Sequence, residues 1–184
     1  MKGLIFTEFL EMVENRFSPD VVDDIITASR VASGGAYTSV GTYSHSEMLA
    51  LVENLASVSQ TSVPILVKAF GHYLFGRFVK LYPSFFNNMY DAFDFLTLLE
   101  RHVHTGVRNL YPDAELPTFT IQPSQDKSTL TMIYRSKRPF AALAEGLIEG
   151  CLEYFHEQAD ISMIDRSCAD MTEIEFHITR IDKP

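Results

Sequence analysis

The chain has 184 residues, of which 46% are hydrophobic and 12% aromatic, and its formal net charge at pH 7 is −9. This composition supplies a core for one domain or two closely packed subdomains, and the acidity argues against nucleic acid and anionic membrane surfaces as partners. No apolar run reaches the roughly 18 residues of a membrane span, and the N-terminus lacks the pattern of a signal peptide, so we expect a cytoplasmic protein without membrane insertion.

The first half of the chain predicts a series of amphipathic helices separated by loops. Apolar residues recur every three to four positions, and the segment 33–44 between two of the helices is rich in Gly, Ser and Thr. Early prolines and preceding serines are typical of helix N-termini. The helices are expected over 4–14, from Pro19 to Ile26, from Ser44 or Ser46 to Leu55, and from Ser62 or Pro64 to Phe78.

One long helix is predicted next, from about Phe85 to Leu110. The segment Tyr82-Pro83-Ser84 breaks the preceding pattern, because proline disfavours the helical conformation in the residue before it. Apolar residues then recur on one side of the predicted helix, and Tyr111-Pro112 ends it. Pro117 is a second rigid point further along the chain.

His104 is the candidate metal ligand of this predicted helix. Counting about 100° per residue, it lies roughly 20° around the axis from Phe93, at the edge of the apolar stripe. His102 is turned about 200° away, so the two histidines cannot bind one metal ion from the same helix. A single neutral imidazole among apolar side chains suits an axial ligand of haem iron. It also suits a core-edge histidine bonded to a carbonyl group, and the residue alone leaves both interpretations open.

The C-terminal half changes to the alternation that is typical of strands. Two alternating segments flank turn-like residues and predict a hairpin. A helix opened by Pro139 follows, and two further strand candidates come after it. This order predicts an α+β fold in which an N-terminal helical part packs on a four-stranded antiparallel sheet and its helices. The predicted elements are strands 118–122 and 129–138, turn 123–127, helix 140–158, and strands 161–167 and 173–181.

Tyr134, Ser136 and Arg138 form a donor row on the second predicted strand. Their spacing of two residues projects them to one face of the strand over roughly 13 Å. Arginine can hold a carboxylate through two hydrogen bonds, and hydroxyl groups can donate to the same anion or its neighbour. The donor row therefore predicts a site for an anion with a large apolar body, or else a solvated strand face with Arg138 free in water.

Together these residues resemble those of the haem-nitric oxide/oxygen-binding (H-NOX) family, which is related to the haem domain of soluble guanylate cyclase. The resemblance covers the whole chain. It begins at Met1-Lys2-Gly3-Leu4-Ile5, continues through the segment from His104 to Pro112, and includes Pro117. It ends with the donor row, which matches the Tyr-x-Ser-x-Arg signature of the family.

The resemblance implies a single H-NOX domain over 1–184, with ferrous haem b between a distal helical subdomain, 1–62, and a proximal subdomain, 63–184. His104 would be the axial ligand of the haem iron. Ile5 and Pro117 would press on the porphyrin and distort it from planarity. The other implied haem contacts are Tyr134, Ser136 and Arg138 at the propionates, and Phe9, Leu74, Phe78, Leu143 and Leu147 in the pocket.

Leu143 decides which gas the resemblance implies. Family members that bind oxygen stably use a tyrosine at this position, and the supporting positions, Phe9 and Leu74, are also apolar here. Bound oxygen needs a hydrogen-bond donor, whereas nitric oxide binds ferrous iron strongly without one. The resemblance therefore implies a nitric oxide sensor, which would also bind carbon monoxide. Tyr73 and His72 are predicted to lie on other helix faces, as packing or surface groups.

The resemblance also implies switching rather than catalysis. Nitric oxide would weaken and break the bond between the iron and His104, the porphyrin would relax against Ile5 and Pro117, and the N-terminal helices would shift. The output is expected on a separate chain, because 184 residues leave no room for a signalling domain beside this one. In the bacterial family, that partner is typically a sensor histidine kinase or a cyclic di-GMP synthase or phosphodiesterase.

Three alternatives stay open at this point. An oxygen-binding sensor of the same family would form a stable ferrous-oxy spectrum in air. A peroxidase-like haem enzyme would need a polar catalyst over the iron, and the expected pocket residues offer none. A carrier of small apolar ligands, or a scaffold without metal, would show no haem absorption band.

No structural zinc is expected. Some bacterial relatives hold zinc with three cysteines and one histidine near the C-terminus, but this chain has only Cys151 and Cys168. Both are predicted to be free thiols. In the helix that contains Cys151, Gly146 and Gly150 are spaced as Gly-x-x-x-Gly and predict close packing against the sheet or another helix.

Overall fold

Helices come first along the chain, as the sequence predicts. The computed structural model describes residues 1–125 and 128–181. Its first helices are α1 (Gly3–Arg16), α2 (Pro19–Ser29), α3 (His45–Ser59) and α4 (Val63–Leu81). The hydroxyl groups of Ser18 and Ser44 accept hydrogen bonds from backbone amides in the first turns of α2 and α3. Serine before the helix therefore sets where these two helices begin, because its side chain satisfies an amide that has no partner within the helix.

The prediction of one helix from Phe85 to Leu110 is wrong, because polar residues interrupt it. Asn88 takes a backbone φ of +63°, which is left-handed and ends a helical turn. The Asp91 carboxylate then accepts a hydrogen bond of 2.7 Å from the Asp94 amide and caps a new helix. The pieces are a 3₁₀ turn (Pro83–Phe86), α5 (Ala92–Leu98), a π-helical segment (Leu99–His104) and α6 (Thr105–Leu110).

The π-helical segment ends at His104, the candidate metal ligand. A π-helix closes its hydrogen bonds between residues i and i+5, so the α-helical count of about 100° per residue does not apply here. The predicted angle between Phe93 and His104 is therefore wrong. His104 is nevertheless only 8% exposed. Single π-helical turns within α-helices are frequent at functional sites, because they change the direction in which a side chain points.

The described residues of the C-terminal half form a four-stranded antiparallel sheet with the order β1-β2-β4-β3, which confirms the predicted fold class. Leu130, Met132 and Tyr134 alternate as buried residues along β2, and Phe119 pairs with Tyr134 across the hairpin. The period of two that predicted the strand is thus the burial pattern of the folded sheet. The elements are β1 (Thr118–Pro123), β2 (Thr129–Ser136), α7 (Ala141–Tyr154), β3 (Ala159–Asp165) and β4 (Thr172–Arg180).

Some bounds differ from the prediction. Strand β2 ends at Ser136, so Arg138 lies beyond the strand rather than within it. Helix α7 ends earlier than predicted because His156 takes a φ of +57°, and β3 begins correspondingly earlier. Of the predicted turn, Asp126 and Lys127 lie outside the described residues.

Within residues 1–125 and 128–181, two apolar clusters form the core, and α4 contributes to both. Leu66 and Leu74 pack with α1, α2 and α3 in the first cluster. Phe75 packs with α5, α7 and the sheet in the second. Helix α4 therefore joins the N-terminal helices to the sheet, because adjacent residues of one helix reach different cores.

Close packing between α4 and α7 explains the glycines of the Gly-x-x-x-Gly pair. A Cβ atom on Gly146 would lie 1.9 Å from the carbonyl oxygen of Lys68, and one on Gly150 would lie 2.7 Å from the Cβ atom of Phe75. The predicted close packing is confirmed, and its partner is α4. The two helices approach so closely because neither glycine carries a side chain.

Candidate functional site

A cavity of about 570 Å³ lies between the N-terminal helices, α4, α7, the segment around His104 and the sheet. Most of its lining side chains are apolar, and a few polar groups converge on it. This combination is typical of a pocket for a small molecule or cofactor. The residues predicted for the site that line the cavity are Ile5, Leu74, Phe78, His104, Pro117, Tyr134, Ser136, Arg138, Leu143 and Leu147.

His104 is held at this cavity through one ring nitrogen. Its Nδ1 lies 2.7 Å from the Oε1 atom of Glu100, and no described residue gives its Nε2 a hydrogen-bond partner. Burial lowers the pKa of His104, although the Glu100 carboxylate opposes that shift. A neutral imidazole with its proton on Nδ1 keeps a lone pair on Nε2, which is the form that binds a metal ion.

Glu100 is itself fixed by two further groups. Its Oε1 accepts a hydrogen bond of 3.2 Å from the Phe119 amide, and its Oε2 accepts one of 3.3 Å from Arg108. The Phe119 ring packs against the imidazole with 5.7 Å between the ring centroids. Sequence reasoning missed Glu100, and the available signal was an acidic residue four positions before the candidate ligand. The histidine ring is therefore oriented by the start of β1 as well as by its own segment.

The donor row converges on one part of the cavity. Tyr134 is buried, and its hydroxyl donates to the Arg138 carbonyl at 3.5 Å, while the Ser136 hydroxyl accepts from the Arg138 amide at 3.0 Å. The Arg138 guanidinium donates to the Glu115 carbonyl at 3.1 Å and forms an ion pair with the Glu115 carboxylate. Its side chain is only 16% exposed, so Arg138 is not free in water. A guanidinium that already holds one carboxylate at the cavity is placed to hold another.

The chemistry of these side chains fits a haem group. The apolar lining suits the porphyrin ring, and the unpaired Nε2 of His104 suits its iron. Arg138 and the two hydroxyl groups of the donor row suit its propionates. The arrangement offers an iron ligand and an anion site to the same apolar molecule.

A family model for haem-NO-binding proteins matches residues 2–163. The chain belongs to the haem-NO-binding, or H-NOX, family. Domains of this family are haem-binding gas sensors rather than enzymes, and the resemblance seen in the sequence is confirmed. No curated protein matches this chain.

Solved H-NOX structures match the fold over nearly all of the chain. The Fe(II) unliganded H-NOX protein from K. algicida is 39% identical, with a TM-score of 0.93, and the match covers 100% of this chain and 98% of that chain. The IWP-051-bound H-NOX from Shewanella woodyi, in the Fe(II)CO state, is 41% identical, with a TM-score of 0.83 and coverage of 98% and 95%. An S. oneidensis H-NOX in the Fe(II)NO state shares the fold at 24% identity, with a TM-score of 0.85 and coverage of 97% and 99%.

Some residues considered for the H-NOX pocket do not line the cavity in the described part of the chain. Phe9 is wholly buried and packs edge to face on Phe70, with 5.2 Å between the ring centroids. It lies in the same apolar cluster as the lining residue Leu74, so it belongs to the layer of side chains that packs beneath the lining. Tyr73 and His72 are also outside the lining.

Polar residues that the sequence did not single out also line this H-NOX cavity. The Lys2 ammonium lies 2.9 Å from the Asp113 carboxylate and 3.0 Å from the Thr42 hydroxyl. The hydroxyl groups of Tyr82 and Tyr111 lie 3.2 Å apart, and burial raises the pKa of Tyr82 to about 12. The Lys2 contact ties the first residues of the chain to the segment that follows α6, and the tyrosine pair joins the ends of α4 and α6.

Cys151 is buried and Cys168 is exposed, and both are free thiols. Outside the residues that the structure leaves undescribed, no group of three or more His, Cys, Asp or Glu is placed to hold a metal ion. Among the helices of 1–125 and 128–181, none combines the length and apolar character needed to cross a membrane.

Proposed function

We propose that this H-NOX domain is a nitric oxide sensor that holds ferrous haem b through His104. The observation that carries this proposal is the buried imidazole of His104 at a mostly apolar cavity, held by Glu100 through Nδ1 and without a described hydrogen-bond partner for Nε2. When bound, the haem would supply the iron that binds the gas, and His104 would be the residue that holds this iron. The apolar side chains of Leu74 and Leu143 support selectivity for nitric oxide, because neither can donate a hydrogen bond to oxygen.

The proposed roles of the other cavity residues follow from their chemistry. Arg138 gives up or shares its pair with Glu115 and holds a propionate, with the hydroxyls of Tyr134 and Ser136 beside it. Pro117 has a fixed ring that yields little, so it would be a rigid contact for the bound porphyrin. Ile5, Phe78 and Leu147 complete the apolar contacts, supported from behind by Phe9.

Release of His104 is the proposed switch. Glu100 would keep the imidazole of His104 oriented when the ring is released, and Ile5 and Pro117 would be the contacts that relax. We propose that residues 1–62 then shift relative to residues 63–184. A ligand can move such an equilibrium only by its difference in affinity for the two states. A separate signalling chain, a sensor histidine kinase or a cyclic di-GMP synthase or phosphodiesterase, would read the change without turnover by this domain.

Absorption spectra of the purified protein test this proposal. We expect a haem band, a stable carbonyl complex, a five-coordinate nitrosyl spectrum, and no stable oxygen complex when the ferrous protein meets air. A stable ferrous-oxy spectrum would assign the domain to oxygen sensing instead. A six-coordinate nitrosyl spectrum would mean that His104 is not released, and steady peroxide turnover would favour an enzyme.

Replacing Leu143 with tyrosine is expected to make an oxygen complex more stable, because a hydroxyl donor then lines the cavity. The measurement is the rate at which the ferrous protein is oxidised in air, together with its absorption spectrum. Leu143→Phe is the matched control, since it adds the same ring without the hydroxyl. Equal behaviour of the two variants would show that side-chain volume rather than a donor controls oxygen binding.

A further inference from the structure

We infer that Glu100 is a positioning residue whose carboxylate strengthens the bond between His104 and the haem iron and so raises the barrier to its release. The inference rests on the proposed function. It concerns a residue that lies behind the ligand rather than in contact with the gas. Glu100 would set how readily His104 is released from the iron, whereas His104 is the group that is released.

The contact between Glu100 and His104 is short and sheltered. Nδ1 and Oε1 lie 2.7 Å apart, and the two side chains are 27% and 10% exposed. The imidazole is largely shielded from water and the carboxylate partly so, and their hydrogen bond is therefore weakened less by solvent than one on the surface. The π-helical segment contains both residues, which lie four positions apart.

The carboxylate is also held from outside the segment. The Phe119 amide of β1 donates to Oε1, and Arg108 of α6 donates to Oε2. The Arg108 side chain is 44% exposed and its contact is the longer of the two, at 3.3 Å, so water screens its charge. Glu100 is therefore fixed in position, and Arg108 offsets little of the attraction between its carboxylate and the imidazole N–H.

A carboxylate that accepts a hydrogen bond from a metal-ligating histidine changes how strongly that histidine binds the metal. A ring N–H that donates to a charged acceptor makes the other ring nitrogen more basic, and that nitrogen donates more strongly to the metal. Hydrogen bonds to a charged group are roughly twice as strong as neutral ones. A neutral acceptor at residue 100 should weaken the bond to iron, and an apolar side chain should weaken it further.

A purely structural role for Glu100 makes a different prediction. Glutamine retains an oxygen that can accept from both His104 and Phe119, so Glu100→Gln keeps the tie between the segment and β1 while removing the charge. If Glu100 only ties the chain together, this variant should leave the strength of the iron–imidazole bond unchanged. If the charge acts on the ligand, the bond weakens although the fold is the same.

Resonance Raman spectra of the unliganded ferrous protein test this inference. We expect the iron–imidazole stretching frequency to fall from the wild type to Glu100→Gln and again to Glu100→Ala, and the haem midpoint potential to rise in that order. The rate at which nitric oxide displaces His104 should increase by about 10-fold or more in Glu100→Ala, the usual size of such outer-sphere effects. If Glu100→Ala takes up no haem, Glu100→Gln carries the comparison.

Glu153→Gln is the matched control, because Glu153 pairs with His72, which does not line the cavity. It removes one carboxylate from a histidine and should leave the frequency and the potential at the wild-type values. An unchanged frequency and potential in Glu100→Gln would overturn this inference but not the proposed function. A wild-type spectrum without any iron–imidazole band would overturn the proposed function, and this inference with it.

Discussion

Replacing His104 with glycine is expected to remove the protein ligand from the haem iron while leaving the fold largely intact. The side chain lines an existing cavity, so its loss enlarges that space and opens no new void in the core. Glycine within the helical segment and the lost contact with Phe119 should lower the free energy of unfolding by about 1–3 kcal/mol. Ferrous and carbonyl absorption spectra report the ligand, and thermal unfolding reports the fold.

His102→Gly is the matched control for this experiment. His102 lies in the same π-helical segment but is exposed and does not line the cavity, although its ring packs on the lining residue Phe85. The control introduces glycine at the same cost to the segment and should leave the spectra unchanged. Added imidazole should restore the wild-type spectra in His104→Gly. Wild-type spectra in His104→Gly without imidazole would remove His104 from its proposed role.

The second large effect is expected for Gly146→Ala, which should lower the free energy of unfolding by about 3 kcal/mol or more. The new Cβ atom would lie 1.9 Å from the Lys68 carbonyl oxygen, and this backbone atom can move only if α4 moves. Both helices contribute to the cavity, α4 with Leu74 and α7 with Leu143, so a shift between them should also loosen the haem. Denaturant unfolding measures the stability, and the absorption band measures haem retention.

Gly76→Ala is the control for Gly146→Ala. Gly76 lies in α4 and is exposed, and apart from its own helix no described atom lies within 4 Å of a Cβ atom built there. Alanine is the better helix former, so this variant should raise the stability by about 0.5–1 kcal/mol. Equal effects of the two substitutions would show that helix propensity, not the contact between α4 and α7, determines the cost.

The fold class was predictable because its signals are local. Alternation of apolar residues marks β2 directly, and the side chains that alternate in the sequence, among them Leu130, Met132 and Tyr134, are the buried ones. Ser44 marks the start of α3 for the same reason, since a cap acts within a few residues. The predicted order of helices and strands therefore agrees with the structure.

The helix around His104 was not predictable to the same degree. Apolar residues continue at helical spacing through the region, so periodicity alone favours one long helix. The left-handed Asn88 and the cap at Asp91 end that periodicity, and the π-helical segment changes the direction of the histidine. The cap at Asp91 is itself a local signal, whereas the π-helical segment is tied to β1 through Glu100 and the Phe119 amide, which periodicity does not show.

By itself, the sequence determined the order of the elements, the family, and the residue types that the family uses: one histidine, the donor row and an apolar pocket. The tertiary structure decided which other side chains and backbone groups contact the residues of the site. Glu100 accepts from an amide 19 residues away, Arg138 pairs with a residue 23 positions before it, and Lys2 bonds to one 111 positions after it. Local periodicity carries no information on such pairs, because hydrogen bonds and charges act through space and the folded chain alone brings these groups within reach.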